Sequence, residues 1–301
     1  MNSFTIETPP DHLDLDYCLR SGQVFRWQKL HDGSWLGVDG QTWYQIKEVA
    51  NGRLEVSSNG TEQTFKSFFR LDWNADEVVG AILEKGPELA PYIGQLRGLR
   101  IMRPSDPVEA FFCFLCTANN NLSRIVPMCQ ALGRYGDRID ETEGIALHAF
   151  PSVETIAQIP EMDLRAKGFG YRGATIPAIA QQVLGRGQNW FSEVREAGYE
   201  EAHKELLTIK GIGPKLADCI CLFAFDMTES VPLDTHIWQA FTRLYFPDWK
   251  GLAVTEKRYR EATEAFRKRF GKLAGWAHQY LFYDNVLNWR ERQKSERAAP
   301  V

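Results

Sequence analysis

The sequence predicts an α+β protein, an N-terminal twisted antiparallel β-sheet domain followed by an all-α body. Three observations carry this. Short aromatic and β-branched segments alternate with Asp-Gly and Asn-Gly pairs as far as Gly60. The apolar period then changes from that of a strand to that of a helix. From residue 104 onward, helical segments follow one another through short links that carry Gly or Pro.

The sheet comes first. Asp32-Gly33, Asp39-Gly40, Asn51-Gly52 and Asn59-Gly60 tolerate positive φ and suit tight hairpins. Between them lie Val24-Phe25-Arg26-Trp27, Trp35-Leu36-Gly37-Val38, Thr42-Trp43-Tyr44-Gln45-Ile46 and Leu54-Glu55-Val56, spaced as the strands of a meander. After Trp73 the period turns helical, beginning with 75–85. The expected division is a sheet domain with flanking helices over 1–103 and an all-helical domain over 104–301. Asp106-Pro107 forms a cap and first turn for a helix through PVEAFFCFLCTA. Further helices are expected near 122–134, 153–159, 174–185, 200–208, 215–225, 234–245, 255–270 and 273–289. There is no internal repeat and no low-complexity tract.

The 301 residues are 44% hydrophobic and 25% charged, which excludes extended disorder and a collagen-like fibre. A core of this size needs no metal or disulfide as a staple. No apolar run reaches the roughly 18 residues of a membrane span, and MNSFTIETPPDHLDLD lacks the apolar stretch of a secretory signal. Cys18, Cys113, Cys116, Cys129, Cys219 and Cys221 sit mostly in apolar helical segments, which predicts reduced thiols inside a cell. Cys113 and Cys116 have no second pair at zinc spacing, so no metal site is expected. The net charge of −4 argues against holding nucleic acid by bulk charge, although local charge decides. Between Lys257 and Lys272 seven basic residues share the window with three acids, either a solvated helix face or a phosphate-contacting stripe.

The chemistry concentrates in Leu206-Leu207-Thr208-Ile209-Lys210-Gly211-Ile212-Gly213-Pro214-Lys215. A helix ends, a Gly-x-Gly turn follows, and Pro214 opens the next helix. Gly211 and Gly213 allow backbone angles closed to other residues and leave amides exposed, and amides at a helix N-terminus suit a phosphate. Between two amphipathic helices this predicts a helix-hairpin-helix DNA-binding element. Lys215 falls in the first helical turn, whose positive end disfavours an ammonium. A lysine partly buried there is expected to have a lowered pKa and to act as an amine nucleophile. The alternative is a plain phosphate contact. Val231-Pro232-Leu233-Asp234-Thr235-His236 follows, with Asp234 19 positions after Lys215. A helix over 215–226 rises about 18 Å, and an extended return over 227–234 spans up to about 26 Å. The chain can therefore bring Asp234 back level with Lys215. Asp234 can also cap the helix that begins at Thr235.

IKGIGPK, ADCICLFAFD and VPLDTHIW together resemble the helix-hairpin-helix DNA glycosylases with a Gly/Pro-rich loop and a distal aspartate, and within them the 8-oxoguanine DNA glycosylase/AP lyases. Ser21–Trp27 is similar to that family's sheet-domain signature, Cys116–Arg124 to its asparagine-rich helix junction, Gly168–Arg172 to its wedge loop and Gly275–Phe282 to its base-pocket helix. The resemblance implies a helix-hairpin-helix glycosylase domain over 104–301 and a DNA N-glycosylase with lyase activity, excising 8-oxoguanine opposite cytosine after base flipping. It implies Lys215 as the nucleophile at C1′ and Asp234 as the stabiliser of the cationic sugar. It implies a base pocket of Gly22, Cys219, His278 and Phe282, with the Gly22 carbonyl meeting N7–H of the lesion. DNA contacts are implied for Asn119, Arg124, Tyr171, Arg172, Gly211, Gly213 and His236. Tyr171 is the wedge, and Asn119, Arg124 and Arg172 read the orphaned cytosine.

The implied partner is double-stranded DNA containing oxidised guanine, with no cofactor, no metal and no membrane. The expected state is a monomer in the bacterial nucleoid, or in the nucleus of a eukaryote. One position departs from the family pattern: His278 stands where a glutamine commonly reads the Watson–Crick edge of the flipped base. An imidazole cannot reproduce both amide contacts in one plane, so lesion choice is expected to be relaxed. Branches with a four-cysteine iron–sulfur cluster after the aspartate are excluded, because no cysteine follows Cys221. The remaining alternatives are a glycosylase for other damaged purines and a non-catalytic DNA-binding module using the hairpin as a phosphate clamp.

Overall fold

The computed structural model describes residues 2–298, and for 289–298 the backbone alone. Strand β1 (Asn2–Glu7) and helix α1 (Leu15–Arg20) precede a meander of β2 (Trp27–Lys29), β3 (Trp35–Asp39), β4 (Thr42–Ala50) and β5 (Arg53–Ser58). The sheet is antiparallel throughout, in the order β1-β5-β4-β3-β2. Gly33, Gly40 and Gly52 hold positive φ in its three hairpins, as the Asp-Gly and Asn-Gly pairs require. Gly37 on β3 is needed for another reason. A Cβ there would lie 2.2 Å from the Trp27 ring, which packs across the strand and stacks on Phe68 at 5.4 Å between centroids.

Some expectations are corrected here. Asn59-Gly60 forms no hairpin; it turns β5 into α2 (Glu62–Phe68), where Asn59 Oδ1 accepts from the Trp43 amide. Helix therefore begins before Trp73. Only Trp27 of the segment Val24–Trp27 lies in a strand, and β1 adds a fifth strand beside β5.

Helices α3 (Ala75–Lys85) and α4 (Ala90–Gln95) lead into α5 (Pro107–Leu115), α6 (Leu122–Gly133), α7 (Val153–Gln158), α8 (Glu161–Ala166), α9 (Arg172–Leu184), α10 (Trp190–Glu196), α11 (Tyr199–Leu207), α12 (Pro214–Phe223), α13 (Thr235–Leu244), α14 (Glu256–Phe270) and α15 (Ala274–Ala298). Helices α8 and α10 were not foreseen. The stretch after residue 104 is helical but for one hairpin, β6 (Arg138–Thr142) with β7 (Ile145–His148). Its turn is made by Glu143 and Gly144, both at positive φ.

Two cores result. Ile6, Trp27, Tyr44, Phe65 and Phe68 fill the space under the sheet. The larger core is helical and includes Val78, Ile82, Leu89 and Ile93, so α3 and α4 pack with the helices rather than with the strands. Polar bolts join the two parts. The buried Arg26 guanidinium donates to both carboxylate oxygens of Glu109, at 2.8 and 2.6 Å. Arg70 pairs with Asp226, and Arg103 bridges Asp226 and Asp72.

Asp39, at the end of β3, is almost fully buried and accepts from the Ser105 amide at 2.8 Å. Burial, with Glu109 and Asp106 nearby, pushes its carboxyl up to about 7. A carboxyl with a raised folded pKa favours the fold when protonated. Its contribution is full below about pH 4 and is lost as pH rises through 7. Asp39→Asn mimics the protonated form and keeps an acceptor for Ser105. It is expected to raise the melting temperature at pH 8 and to leave it nearly unchanged at pH 4. An equal shift at both values would reject the assignment.

Candidate active site

The hairpin is built as its residues dictate. Helix α11 ends at Leu207, Ile212 N–H closes a turn on Ile209 O at 3.0 Å, and Pro214 occupies the first turn of α12. Gly211 is at φ +108, open to glycine, with Ile179 3.3 Å from the place of a Cβ. Gly213 is extended (φ −100, ψ 174), so the expectation of a special backbone angle holds for Gly211 alone. Both glycines are exposed.

After α12 the chain returns through 224–233, and Asp234 caps α13. Asp234 Oδ1 accepts from the amides of His236 and Ile237, each at 2.9 Å. Lys215 and Asp234 line one cavity of about 300 Å³. Gly22, Cys219, His236, His278 and Phe282 line it too, with Phe25, Phe114, Asn120, Leu122 and Gln279 among the rest of its wall. The structure thus unites every residue expected of the base pocket with the lysine and the aspartate.

The electrostatics correct one expectation. Burial pushes the Lys215 ammonium down, but the neighbouring Cys219 and the Asp234 carboxylate pull it up, and the net direction is upward. Burial likewise pushes the Cys219 thiol up, against the opposing pull of Lys215.

His278 is nearly fully buried, and its ring lies parallel to Phe282 at 6.0 Å. Its Nε2 is 2.6 Å from the Pro232 carbonyl, which can only accept. The ring is therefore the Nε2–H tautomer, and Nδ1 is a buried lone pair with no protein partner. Burial pushes the imidazole down to about 4, so it is neutral at pH 7. A neutral ring fixed this way has its one donor committed to Pro232, and Nδ1 is left as an acceptor sealed from solvent. Two further residues hold the wall: Pro232, through that carbonyl, and Gln279, whose Nε2 donates to Ser21 O at 3.1 Å. The latter ties α15 to the turn at Gly22 (φ +77). The only sequence signal for Gln279 is its place beside His278.

The expected DNA contacts form a second cluster. Arg124 donates to Gly168 O, and Tyr171, half exposed, donates to Ala118 O. Asn119 is exposed with φ +48. Arg172 is buried, lies over the Tyr171 ring at 4.5 Å, and donates to the carbonyls of Ala118 and Asn119. Its guanidinium is thus turned into the protein, and reading a cytosine requires it to leave these carbonyls. Most of the basic stretch 257–272 is used internally: Arg258 on Ala253 O, Arg267 on Tyr199, Arg269 on Lys85 O and Glu88, Lys272 on Glu229, and Lys257 near Glu261. That favours the structural helix face over the phosphate stripe. All six cysteines are buried free thiols. Among the described residues no group of His, Cys, Asp and Glu is disposed to hold a metal, and no helix is long and apolar enough to cross a membrane.

A glycine hairpin opening a lysine-bearing helix, with a capping aspartate returned to the same cavity, defines a base-excision glycosylase of the helix-hairpin-helix class. Residues 112–270 match the HhH-GPD superfamily of base excision DNA repair proteins, and residues 5–111 match the N-terminal domain of 8-oxoguanine DNA glycosylase. The N-glycosylase/DNA lyase OGG1 of Arabidopsis thaliana is 31% identical over 93% of this chain and 79% of its own length. The N-glycosylase/DNA lyase of Saccharomyces cerevisiae is 29% identical over 89% and 82%. The solved Clostridium acetobutylicum 8-oxoguanine glycosylase/lyase, in complex with double-stranded DNA containing cytosine opposite 8-oxoG, superposes with a TM-score of 0.84 at 26% identity, covering 95% of this chain and 96% of that one. The chain belongs to the 8-oxoguanine DNA glycosylase family, enzymes of the N-glycosylase/DNA lyase kind.

Proposed function

We propose that this enzyme removes 8-oxoguanine lying opposite cytosine in duplex DNA and then cleaves the strand through a lysine imine. The observation that carries the reading is the meeting of Lys215 and Asp234 in one cavity walled by Cys219 and Phe282. At about 300 Å³ it lies at the small end of ligand pockets, which suits a single flipped base.

The Lys215 ammonium first gives up a proton to solvent water. The free Nζ then attacks C1′ as the glycosidic bond breaks and its electron pair leaves with the base. Asp234 stabilises the positive charge that develops on the sugar. The amine adduct loses its ring oxygen bond to become an imine. Loss of a C2′ proton then expels the 3′ phosphate by β-elimination. Tyr171 would fill the vacated stack, with Asn119, Arg124 and Arg172 at the orphaned base. The exposed hairpin amides and His236 would meet phosphate.

The test is borohydride trapping on duplexes carrying 8-oxoguanine opposite each of the four bases. A covalent adduct formed best opposite cytosine is expected. Tight binding with neither trapping nor base release would favour the non-catalytic module. Binding should weaken as salt rises, because phosphate contacts dominate such affinity.

His278 supports a second reading, in which other damaged purines are also accepted. An imidazole in place of the glutamine cannot reproduce both amide contacts to that edge of the base. His278→Gln is expected to change the relative excision rates of different purine lesions. An unchanged spectrum would remove His278 from specificity.

A further inference from the structure

Asp218 lies one helical turn beyond Lys215 on α12 and is completely buried. Its carboxylate does not line the cavity, yet it gathers donors from three separate parts of the fold. Oδ1 accepts from Tyr199 Oη on α11 at 2.7 Å and from Ser230 Oγ on the return segment at 2.9 Å. Oδ2 accepts from Tyr259 Oη on α14 at 2.5 Å, and His203 Nε2 stands 3.7 Å away. Ser230 Oγ also lies 2.8 Å from Asp218 O, and Arg267 donates to Tyr199 Oη at 2.9 Å. Tyr259 Oη in turn accepts from the Leu233 amide at 3.3 Å. Leu233 is the residue before Asp234. A continuous chain of contacts therefore runs from the helix that bears Lys215, through Asp218 and Tyr259, to the residue that presents Asp234. Ser230 makes a second tie to the same return segment.

We propose that Asp218 is a positioning residue that sets the separation of Lys215 and Asp234, a role that rests on the catalytic reading of those two groups. A buried carboxyl group held by three hydroxyls is stiff, because any partner that leaves uncovers an unsatisfied polar group in a dry interior. Asp234 is otherwise held by its cap bonds, by the Trp238 amide on its carbonyl and by the His278 bond to Pro232 two residues earlier, at the end of a return that lacks helix and strand. Tying the return to α12 makes the distance between nucleophile and carboxylate a property of one rigid cluster. Asparagine at 218 replaces one acceptor oxygen by a donor, so Tyr199, Tyr259 and Ser230 cannot all be satisfied as they are now. The return segment then loses a tie without any change to the cavity wall.

The experiment is a double-mutant cycle on single-turnover base release from an 8-oxoguanine:cytosine duplex. Asp218→Asn is expected to slow release by about 10- to 100-fold, the scale on which a misplacement of an ångström acts, while duplex Kd stays unchanged. Combining it with Asp234→Asn is expected to cost nothing beyond Asp234→Asn alone, since a positioning residue has nothing left to position. Losses that multiply in the double variant, or a Kd that worsens in step with the rate, would overturn the proposal. Should Asp218→Asn fail to fold, Tyr259→Phe enters the same cycle, since it severs the link to Leu233 and keeps the carboxylate. Full activity of Tyr259→Phe would also overturn it. A wild-type protein inert on every lesion duplex would overturn the catalytic reading and this role with it.

Discussion

Lys215→Gln is expected to abolish the borohydride-trapped adduct and strand cleavage, while duplex binding and the melting temperature stay close to wild type. Only a primary amine can form the imine on which β-elimination depends, and glutamine is of similar length without one. The fold should tolerate the change, because Lys215 is only half-buried and faces the cavity, where its partners are Cys219 and Asp234. Those partners hold the resting side chain as an ammonium, with its pKa raised rather than lowered. Trapping by the wild type is therefore expected to quicken with pH, by roughly tenfold per unit while proton loss is limiting. A rate flat from about pH 6 to 9 would mean that the bound enzyme already holds a free amine. A persistent adduct in Lys215→Gln would place the nucleophile elsewhere.

Much of this site was legible because its signals are local. Asp32-Gly33, Asp39-Gly40 and Asn51-Gly52 specify hairpins by the backbone angles they tolerate, and all three form. Gly211-Ile212-Gly213-Pro214 punctuates two helices, and chain length alone allowed Asp234 to return to Lys215. What was not legible depends on partners distant in sequence. Strand β1 exists because residues 2–7 find β5 more than forty positions away, with Ile6 opposite Leu54. The β6–β7 hairpin pairs a mainly polar strand, RIDET, with the four-residue IALH, and turns on Glu143-Gly144 rather than on an Asn or Asp pair. The direction of the Lys215 shift was missed because the helix end is visible in sequence, whereas the summed effect of burial, Cys219 and Asp234 is not. The tautomer of His278 is set by a carbonyl 46 residues away. The resemblance implied Arg172 as a reader of the orphaned cytosine, yet the loop at Ala118 captures its guanidinium.

Asp234→Asn is expected to fold as the wild type does and to lose about 10²- to 10³-fold in base release. The two expectations separate the roles of this residue. Its capping role uses one oxygen, Oδ1, for both the His236 and the Ile237 amides. Asparagine keeps that oxygen and is an equally good cap, so the stability of α13 should not change. What asparagine lacks is the negative charge facing Lys215 and the sugar. Asp234→Ala removes both functions and should add a loss of about 1 kcal/mol in stability to the loss of rate. Comparing the two variants by thermal unfolding and by single-turnover excision divides the cap from the chemistry. Should Asp234→Asn release base at wild-type speed, the carboxylate is a cap alone, and the charge developing at C1′ must be met by another group on the cavity wall. The raised Lys215 pKa bears on this choice, since the same carboxylate that steadies a cationic sugar also holds the resting ammonium. Asp234→Asn should therefore make Lys215 easier to deprotonate even as it slows base release. On a duplex with a preformed abasic site, where no base has to leave, imine trapping by Asp234→Asn is expected to be much less impaired than base release, and at low pH to approach or exceed that of the wild type.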